Sequence, residues 1–582
     1  MTSNEKIAAR LDELADLLEA QDVEYKPRAY RTAADNVRST PDSVSDLVAN
    51  GLDAVREIEG VGEAIGEKIV EYVETGAIEE LNTQRESLPV EMEAVTRVEG
   101  VGPKTAGKLY EALGIQTLDD LEDAAEAGDI QEVSGFGAKT EQNILGNIEF
   151  ARHAGQRSLL GNARAVGEEV TGYLANHAGV EAVKLAGSLR RWRPTIGDVD
   201  VLVATEEPIS VTETVTEWDE VTSVIESGST KTSLRVSDMQ VDIRFVDPAE
   251  FGAALVYFTG SRDHNIALRN RAIDSNQKVN EYGVFEVTDA ERADPDTRAG
   301  TRIAGKTESS VYEALDLPWI PPELRENRGE IPAAAAGDLP DLVTEADLQG
   351  DLHTHTNWSD GDFSIEEMVE GAVEYGHEYL VISDHAEGPG VFGDSGLSED
   401  DIHEQIEAVQ EVAADTTITV LTGIEANISP DGTVGETDPN VLADLDVVIA
   451  SPHADIGDGE DRTERLVTAI EHPEVDILGH PSGRLLNQRP AMEFDPSKIG
   501  QAAAENGVAL EINANPNRLD LWGSALAAAI EEEATIAINT DAHDPREFAY
   551  QRFGVHTARR GWATAADILN TRTLNGLRQF LE

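Results

Sequence analysis

Apolar positions in the first part of the chain recur at helical spacing, as in IAARLDELADLLEA at 7–20, and predict short helices through about residue 80. Two stretches, VREIEGVGEAIGEKIV at 55–70 and VTRVEGVGPKTAGKL at 95–109, set Gly-Val-Gly between helical patterns. A third candidate is VSGFGAKT at 133–140. Between 183 and 250 the pattern changes to strand-like runs: VKLAGSL, DVDVLVAT and MQVDIRFV. Residues 251–320 mix helix and turn. Seven further apolar runs fall at about 348–353, 379–384, 418–424, 445–450, 474–478, 507–512 and 534–539, with helix-length stretches between them. That alternation predicts a parallel β/α architecture. IPAAAAGDLPDLV at 331–343 is poor in bulky side chains and reads as a linker.

Composition changes this picture in two ways. The 582 residues include 112 Asp plus Glu against 45 Lys plus Arg, so the formal charge is 45 − 112 = −67. Such acidity argues against a nucleic-acid partner, because phosphate is normally met by a basic surface. The acid excess is spread along the chain, and after residue 340 Lys498 is the one lysine. This composition resembles that of proteins from extreme halophiles, whose surface charge is screened by salt. There is no cysteine, which excludes disulfides and thiolate ligands. The start, MTSNEKIAARLDELADLLEA, has no long apolar core, and no apolar run approaches membrane-spanning length. A soluble, cytoplasmic, monomeric protein without a membrane partner is expected.

Local chemistry softens the charge objection. Gly60 and Gly62, and Gly100 and Gly102, permit tight turns that expose backbone N–H groups at a helix start, a nest for one phosphate that needs few basic side chains. From Val183 to Gly197 there is no acidic residue, yet Lys184, Arg190, Arg191 and Arg193 are present. Within that island stands GSLRRWRPTIGDVDVLV, 187–203. Asp198 and Asp200 are two apart in a strand pattern and share a face, and the next strand run brings Asp242. Three such carboxylates can hold two Mg²⁺ ions, which activate a hydroxyl and stabilise a pyrophosphate leaving group. Gly187 and Ser188 can approach a triphosphate closely, and Arg191 can neutralise it.

Histidine marks a second centre. Ten of the 13 histidines fall after residue 340. His353 and His355 alternate in a strand pattern, Asp360 follows with Asp362 as its rival, and later strands end in His385, Glu425, His453, His480 and the pair Asp541 and His543. Six of the seven apolar runs carry a candidate at or just after the C-terminal end, where the active sites of β/α barrels lie. GVALEINAN carries no histidine. Nine nitrogen and oxygen ligands without sulfur suit up to three Mn²⁺, Zn²⁺ or Fe ions, which can activate water and stabilise a departing phosphoryl oxygen. Asn513, His377, His403, His472 and His556 are expected to be non-ligands.

These motifs carry a family resemblance. The Gly-Val-Gly elements resemble helix–hairpin–helix motifs of non-sequence-specific DNA binders. GS-x-RR, DxD, VDIR and YFTGS together resemble family X DNA polymerases, and the histidine pattern resembles the PHP phosphoesterase domain. Their order resembles the PolX proteins of bacteria and archaea. The resemblance implies a multidomain fold: a helical lyase-like domain at 1–85, a fingers-like helix–hairpin–helix domain at 86–150, an α/β nucleotidyltransferase palm at 151–250, a thumb at 251–325, a linker at 326–347, and a distorted seven-stranded β/α barrel at 348–582. It implies gapped or primed DNA and dNTPs as partners, with Mg²⁺ or Mn²⁺ in the polymerase site. Tyr257 and Phe258, in the segment with Gly260, would sit under the sugar, with Asn265 at the base edge, Arg269 at the template and His264 near the incoming nucleotide. KPRAYRTAADNV at 26–37 implies a 5′-phosphate lyase site with Lys68 as Schiff-base nucleophile, assisted by Lys26, Tyr30 and Arg56. Ala64 departs from that pattern, standing where repair members carry a phosphate-binding lysine.

Overall fold

A computed structural model describes the chain apart from residues 1–3, 22, 24, 41–43, 57, 59, 97, 99–100, 139, 143, 146–147, 149–156, 238, 293–295, 389–395, 436 and 457–460. It comprises two compact units, Met1–Arg157 and Ser158–Glu582.

The first unit is helical. Its helices Asn4–Ala20 and Lys26–Ser39 bury one stripe each, with Leu11, Leu14, Ala33 and Val37 wholly enclosed. The described parts of the two Gly-Val-Gly stretches fold alike. Leu52–Val55 leads through a turn to Glu63–Thr75, and Met92–Val95 leads to Pro103–Leu113. In both, the central valine is buried, and its N–H donates to a carbonyl three residues back: Val61 to Ile58 and Val101 to Val98. Gly60 has φ +78°, a conformation costly for other residues. Gly100 lies outside the described residues.

The second unit opens with a five-stranded sheet in the order Ala182–Leu185, Val199–Ala204, Met239–Val246, Lys231–Val236, Val221–Ser227. The pair Val199–Ala204 and Met239–Val246 is parallel, and its register sets Asp200 directly beside Asp242. Helices Phe251–Thr259 and Arg262–Asp274 follow, with a three-stranded antiparallel sheet beyond them.

The stretch 326–347, expected as a linker, is a packed element. It holds the helix Glu330–Ala336, whose Glu330, Ile331 and Ala334 are buried. Ala334 faces inward while Ala335 and Ala336 are exposed, and Leu342 joins the core that holds Leu268, Val311 and Leu324.

From Gly350 the chain forms seven parallel strands paired in sequence order: Gly350–Asp351, Tyr379–Ile382, Thr419–Asn427, Val447–Ser451, Ile477–Leu478, Ala509–Asn513 and Ile536–Asn539. They are buried almost throughout, which is why they read as continuous apolar runs. A parallel bridge between Thr354 and Ala542 joins the ends of the first and last strands, so the sheet closes on itself beside the histidines. Leu519 and Phe553 from this part complete the core of the five-stranded sheet. The helix Gln551–Arg560 lies at that junction, where His556 stacks on Trp192 with ring centroids 3.6 Å apart.

Candidate functional site

The first centre is built by strand register. Asp200 and Asp242 project from neighbouring parallel strands, and Asp198 immediately precedes the first of them. Their carboxylates lie within 4.8 Å of one another, as a shared ion requires. Gly187 makes the space: it has φ +59°, and a Cβ there would lie 2.0 Å from Asp200 Oδ2. Burial pushes the Asp200 carboxyl up to about 7, and Asp198 and Asp242 add to the rise. Burial also acts to raise Asp242, but bonds from Lys231 Nζ at 2.8 Å and Gln240 Nε2 at 3.1 Å outweigh it and hold the group below its ordinary value. Crowded acids in this state fit a divalent cation, which would relieve their mutual repulsion.

The basic island beside them is tied to carboxylates more than a hundred residues away. Arg190 makes a two-pronged pair with Glu308. Arg191 Nε donates to Glu326 Oε1 at 2.8 Å and its Nη1 to the Thr259 carbonyl at 2.7 Å. Arg193 reaches Glu326 Oε2 at 3.0 Å. Nη2 of Arg191 has no hydrogen bond among the described residues. Tyr257 and Phe258 end the helix before Gly260, their rings packed edge to face at 5.1 Å. Asn265 Nδ2 donates to the Tyr257 carbonyl at 2.7 Å, and Asn265 and Arg269 line the same hollow as Tyr257. The His264 ring adjoins Gly260 and is fully buried between Glu330 Oε1 at 2.5 Å and the Tyr312 hydroxyl at 3.1 Å.

In the first unit Gly62 and Gly102 are the N-caps of their helices, and neither end has a side-chain cap. First-turn N–H groups there are open to water or an anion. Lys68 lies 2.8 Å from Glu80, which also has Lys26 at 3.6 Å. Burial acts to lower Lys68, but Glu80 and Tyr30 outweigh it and raise the amine above its usual value. Tyr30 is buried, and Arg56 is a partly exposed partner of Asp53 at 3.4 Å.

The second centre gathers side chains from the C-terminal ends of the barrel strands around Glu425. Its Oε1 lies 2.9 Å from His480 Nε2, 3.3 Å from His453 Nε2 and 3.5 Å from His353 Nε2. Its Oε2 lies 2.7 Å from His385 Nδ1. Asp541 Oδ1 lies 3.1 Å from His355 Nε2, and Asp360 is 3.2 Å from His543 Nε2 and 3.4 Å from His385 Nε2. Three overlapping groups have metal-holding spacing: His355, Asp360, His385 and His543; His353, His355 and Glu425; His385, Glu425 and His453. His480 and Asp541 adjoin them. Asp360, rather than Asp362, stands in these groups.

The donor set fits metal ions. His353, His453 and His543 each direct Nδ1 to an acceptor, namely Glu511 at 2.8 Å, Asn427 at 2.6 Å and the Asp541 carbonyl at 2.8 Å. Donation from Nδ1 leaves the Nε2 lone pair facing the cluster. Both ring nitrogens of His355, and Nε2 of His353, are buried without a hydrogen-bond partner among the described residues. Such orphaned atoms are costly in a core that lacks a ligand for them.

Sequence reasoning missed Glu511. It is fully buried on the strand that has no histidine, and it accepts from His353 Nδ1, the His480 N–H at 2.7 Å and Asn539 Nδ2 at 2.9 Å. An acid inside GVALEINAN, an otherwise apolar buried run, was the available signal. Arg518, 3.6 Å from Asp541, was also missed.

The fold and its two carboxylate-bearing centres define a nucleotidyltransferase joined to a metal-binding phosphoesterase barrel. Family comparisons agree: a helix-hairpin-helix domain matches residues 2–78, a SAM-like helix-hairpin-helix tandem 92–146, the DNA polymerase beta thumb 254–326, and the PHP domain 351–515. The DNA polymerase/3′-5′ exonuclease PolX of Bacillus subtilis (strain 168) is 34% identical over 563 residues, covering 96% of this chain and 95% of that protein. The chain belongs to the PolX family, family X DNA polymerases with a C-terminal PHP domain. DNA polymerase lambda of Rattus norvegicus is 26% identical over 342 residues, 56% of each chain. A probable phosphatase of Caldanaerobacter subterraneus subsp. tengcongensis is 32% identical over 208 residues, 33% of this chain and 75% of the relative.

Proposed function

We propose that this enzyme fills short gaps in DNA by template-directed synthesis and removes nucleotides from 3′ ends at a separate centre. The observation that carries the reading is the presence in one chain of two sets of side chains at metal-holding spacing that share no residue. Asp198, Asp200 and Asp242 would hold Mg²⁺ or Mn²⁺, and the nine barrel side chains up to three Mn²⁺, Zn²⁺ or Fe ions. Bound there, such cations supply Lewis acidity and neutralise charge on transferring phosphoryl oxygens.

The chain's own residues bind and orient the reactants. Ser188 and the remaining Nη2 of Arg191 receive the triphosphate, while Gly187 keeps the space that Asp200 needs. Tyr257, Phe258 and Gly260 form the floor under the sugar, with Asn265 and Arg269 beside it. Arg518, adjoining Asp541, meets the phosphodiester to be cut. Gly60, Gly62 and Gly102 hold DNA phosphates through backbone N–H groups, which lets a protein of charge −67 bind DNA. The acidic surface suits a cytoplasm of high salt, and no described helix is long and apolar enough to cross a membrane. Cleavage at abasic sites would use the same barrel cluster. A lyase step at Lys68 requires a neutral amine, which the Glu80 carboxylate 2.8 Å away disfavours.

A gapped duplex with a 5′-labelled primer tests the reading. In high KCl with Mg²⁺ or Mn²⁺, the primer should lengthen when dNTPs are present and shorten from its 3′ end when they are withheld. A primer unchanged under both conditions would refute it. The likeness of the barrel to probable phosphatases favours a second reading, a small-molecule phosphomonoesterase. Faster turnover of small phosphate esters than of DNA 3′ ends would select it.

A further inference from the structure

Arg560 belongs to the barrel, on the helix Gln551–Arg560, yet its side chain ends in the polymerase centre. Its Nη1 donates to the main-chain carbonyl of Arg191 at 2.7 Å and lies 3.3 Å from Glu326 Oε1. That same oxygen accepts from Arg191 Nε, and the other carboxylate oxygen takes Arg193. Arg560 and Glu326 are 7% and 9% exposed, so water screens this network poorly. The turn it grips is otherwise closed by the Arg193 N–H donating to the Ser188 carbonyl and the Arg191 N–H to that of Gly187. It therefore carries the serine and arginine assigned to the triphosphate and the glycine that makes room for Asp200.

We propose that Arg560 is a positioning residue for nucleotide binding in the polymerase centre: it fixes the Ser188–Arg191 turn through the Arg191 carbonyl, and with Glu326 it fixes the plane of the Arg191 guanidinium. Nε and Nη1 of Arg191 are committed to Glu326 and Thr259, which leaves Nη2 to an anionic ligand. A guanidinium held at two points loses little freedom on meeting that ligand, whereas a released one must be ordered by it. The phosphoesterase barrel thereby forms part of the polymerase nucleotide site without touching the nucleotide. This inference rests on the polymerase reading given above.

The test compares Arg560→Gln, Arg560→Lys and Glu326→Gln with the wild type in steady-state single-nucleotide insertion on gapped DNA, with 3′-end hydrolysis measured on each preparation. Arg560→Gln should raise the dNTP KM about tenfold, the scale of losing one hydrogen bond to a charged group, while kcat changes less than about threefold and hydrolysis is unchanged. Arg560→Lys should recover part of the KM. An unchanged KM in Arg560→Gln with hydrolysis intact would overturn the proposal. Should Arg560→Gln lose hydrolysis through misfolding, Glu326→Gln decides from the thumb side: a raised KM supports the proposal and an unchanged one overturns it. Wild-type protein that inserts no nucleotide would sink the polymerase reading itself, a result distinct from insertion with an unaltered KM.

Discussion

Replacing Gly187 with alanine should disable polymerisation while leaving the barrel at work. Two costs coincide at this position. The backbone has φ +59°, where an L-residue costs about 1–2 kcal/mol relative to glycine. The new Cβ would also stand 2.0 Å from Asp200 Oδ2, and ordinary contact begins near 3.4 Å, so the carboxylate or the turn must retreat by about 1.4 Å. Asp200 cannot move away freely, because its strand is paired on both sides, to Ala182–Leu185 and to Met239–Val246. The displacement therefore falls on the side chain that shares an ion with Asp198 and Asp242. A shift of about 1 Å in reacting groups costs about 100-fold in rate, so kcat for single-nucleotide insertion should fall at least that far. Single-turnover insertion on gapped DNA reads it, with 3′-end hydrolysis by the same preparation as the control for folding. Insertion within about threefold of wild type would refute the steric argument.

Two other expectations concern the barrel. Glu511→Gln removes the carboxylate that accepts from His353 Nδ1, and should weaken metal binding about 10–100-fold; chelator competition measures it, excess Mn²⁺ should restore hydrolysis, and unchanged affinity would deny Glu511 its orienting role. Asp476 accepts the Val448 N–H at 2.8 Å, and burial pushes its carboxyl up to about 7. Its folded-state value lies above the unfolded one, so the folded protein holds an extra proton between about pH 4 and 7, and stability falls as pH rises through that window. Asp476→Asn should melt a few degrees higher than wild type at pH 8 and level with it at pH 4; equal differences at both would count against the burial of this charge.

What the sequence disclosed follows from distance along the chain. Asp198 and Asp200 could be paired because a strand period of two puts them on one face, and the barrel strands were visible because burial on both sides demands unbroken apolar runs. The ligands at their ends stood out because histidine is scarce elsewhere in this chain. Partnerships across long separations were hidden. Arg191 and Glu326 are 135 residues apart, Arg560 and Glu326 are 234 apart, and no local pattern joins them. The island of Arg190, Arg191 and Arg193 therefore read as free positive charge, although each guanidinium has a carboxylate partner. Glu511 was masked by the abundance of acids, and the partners of His264, Glu330 and Tyr312, lie 66 and 48 residues away. The segment 326–347 misled because a stretch poor in bulky side chains can still be anchored by a few positions, here Glu330, Ile331, Ala334 and Leu342.

The central claim is that two independent centres act on one DNA end. It is tested most directly by a reciprocal pair, Asp200→Ala and Glu425→Ala, each assayed for dNTP-dependent extension and dNTP-independent shortening of the same gapped primer. Asp200→Ala should lose extension by about a thousandfold, the scale of removing a preorganised charge from a reacting centre, and keep shortening at the wild-type rate. Glu425→Ala should do the reverse. Loss of both activities by either variant, with its fold intact by circular dichroism and melting, would contradict the account.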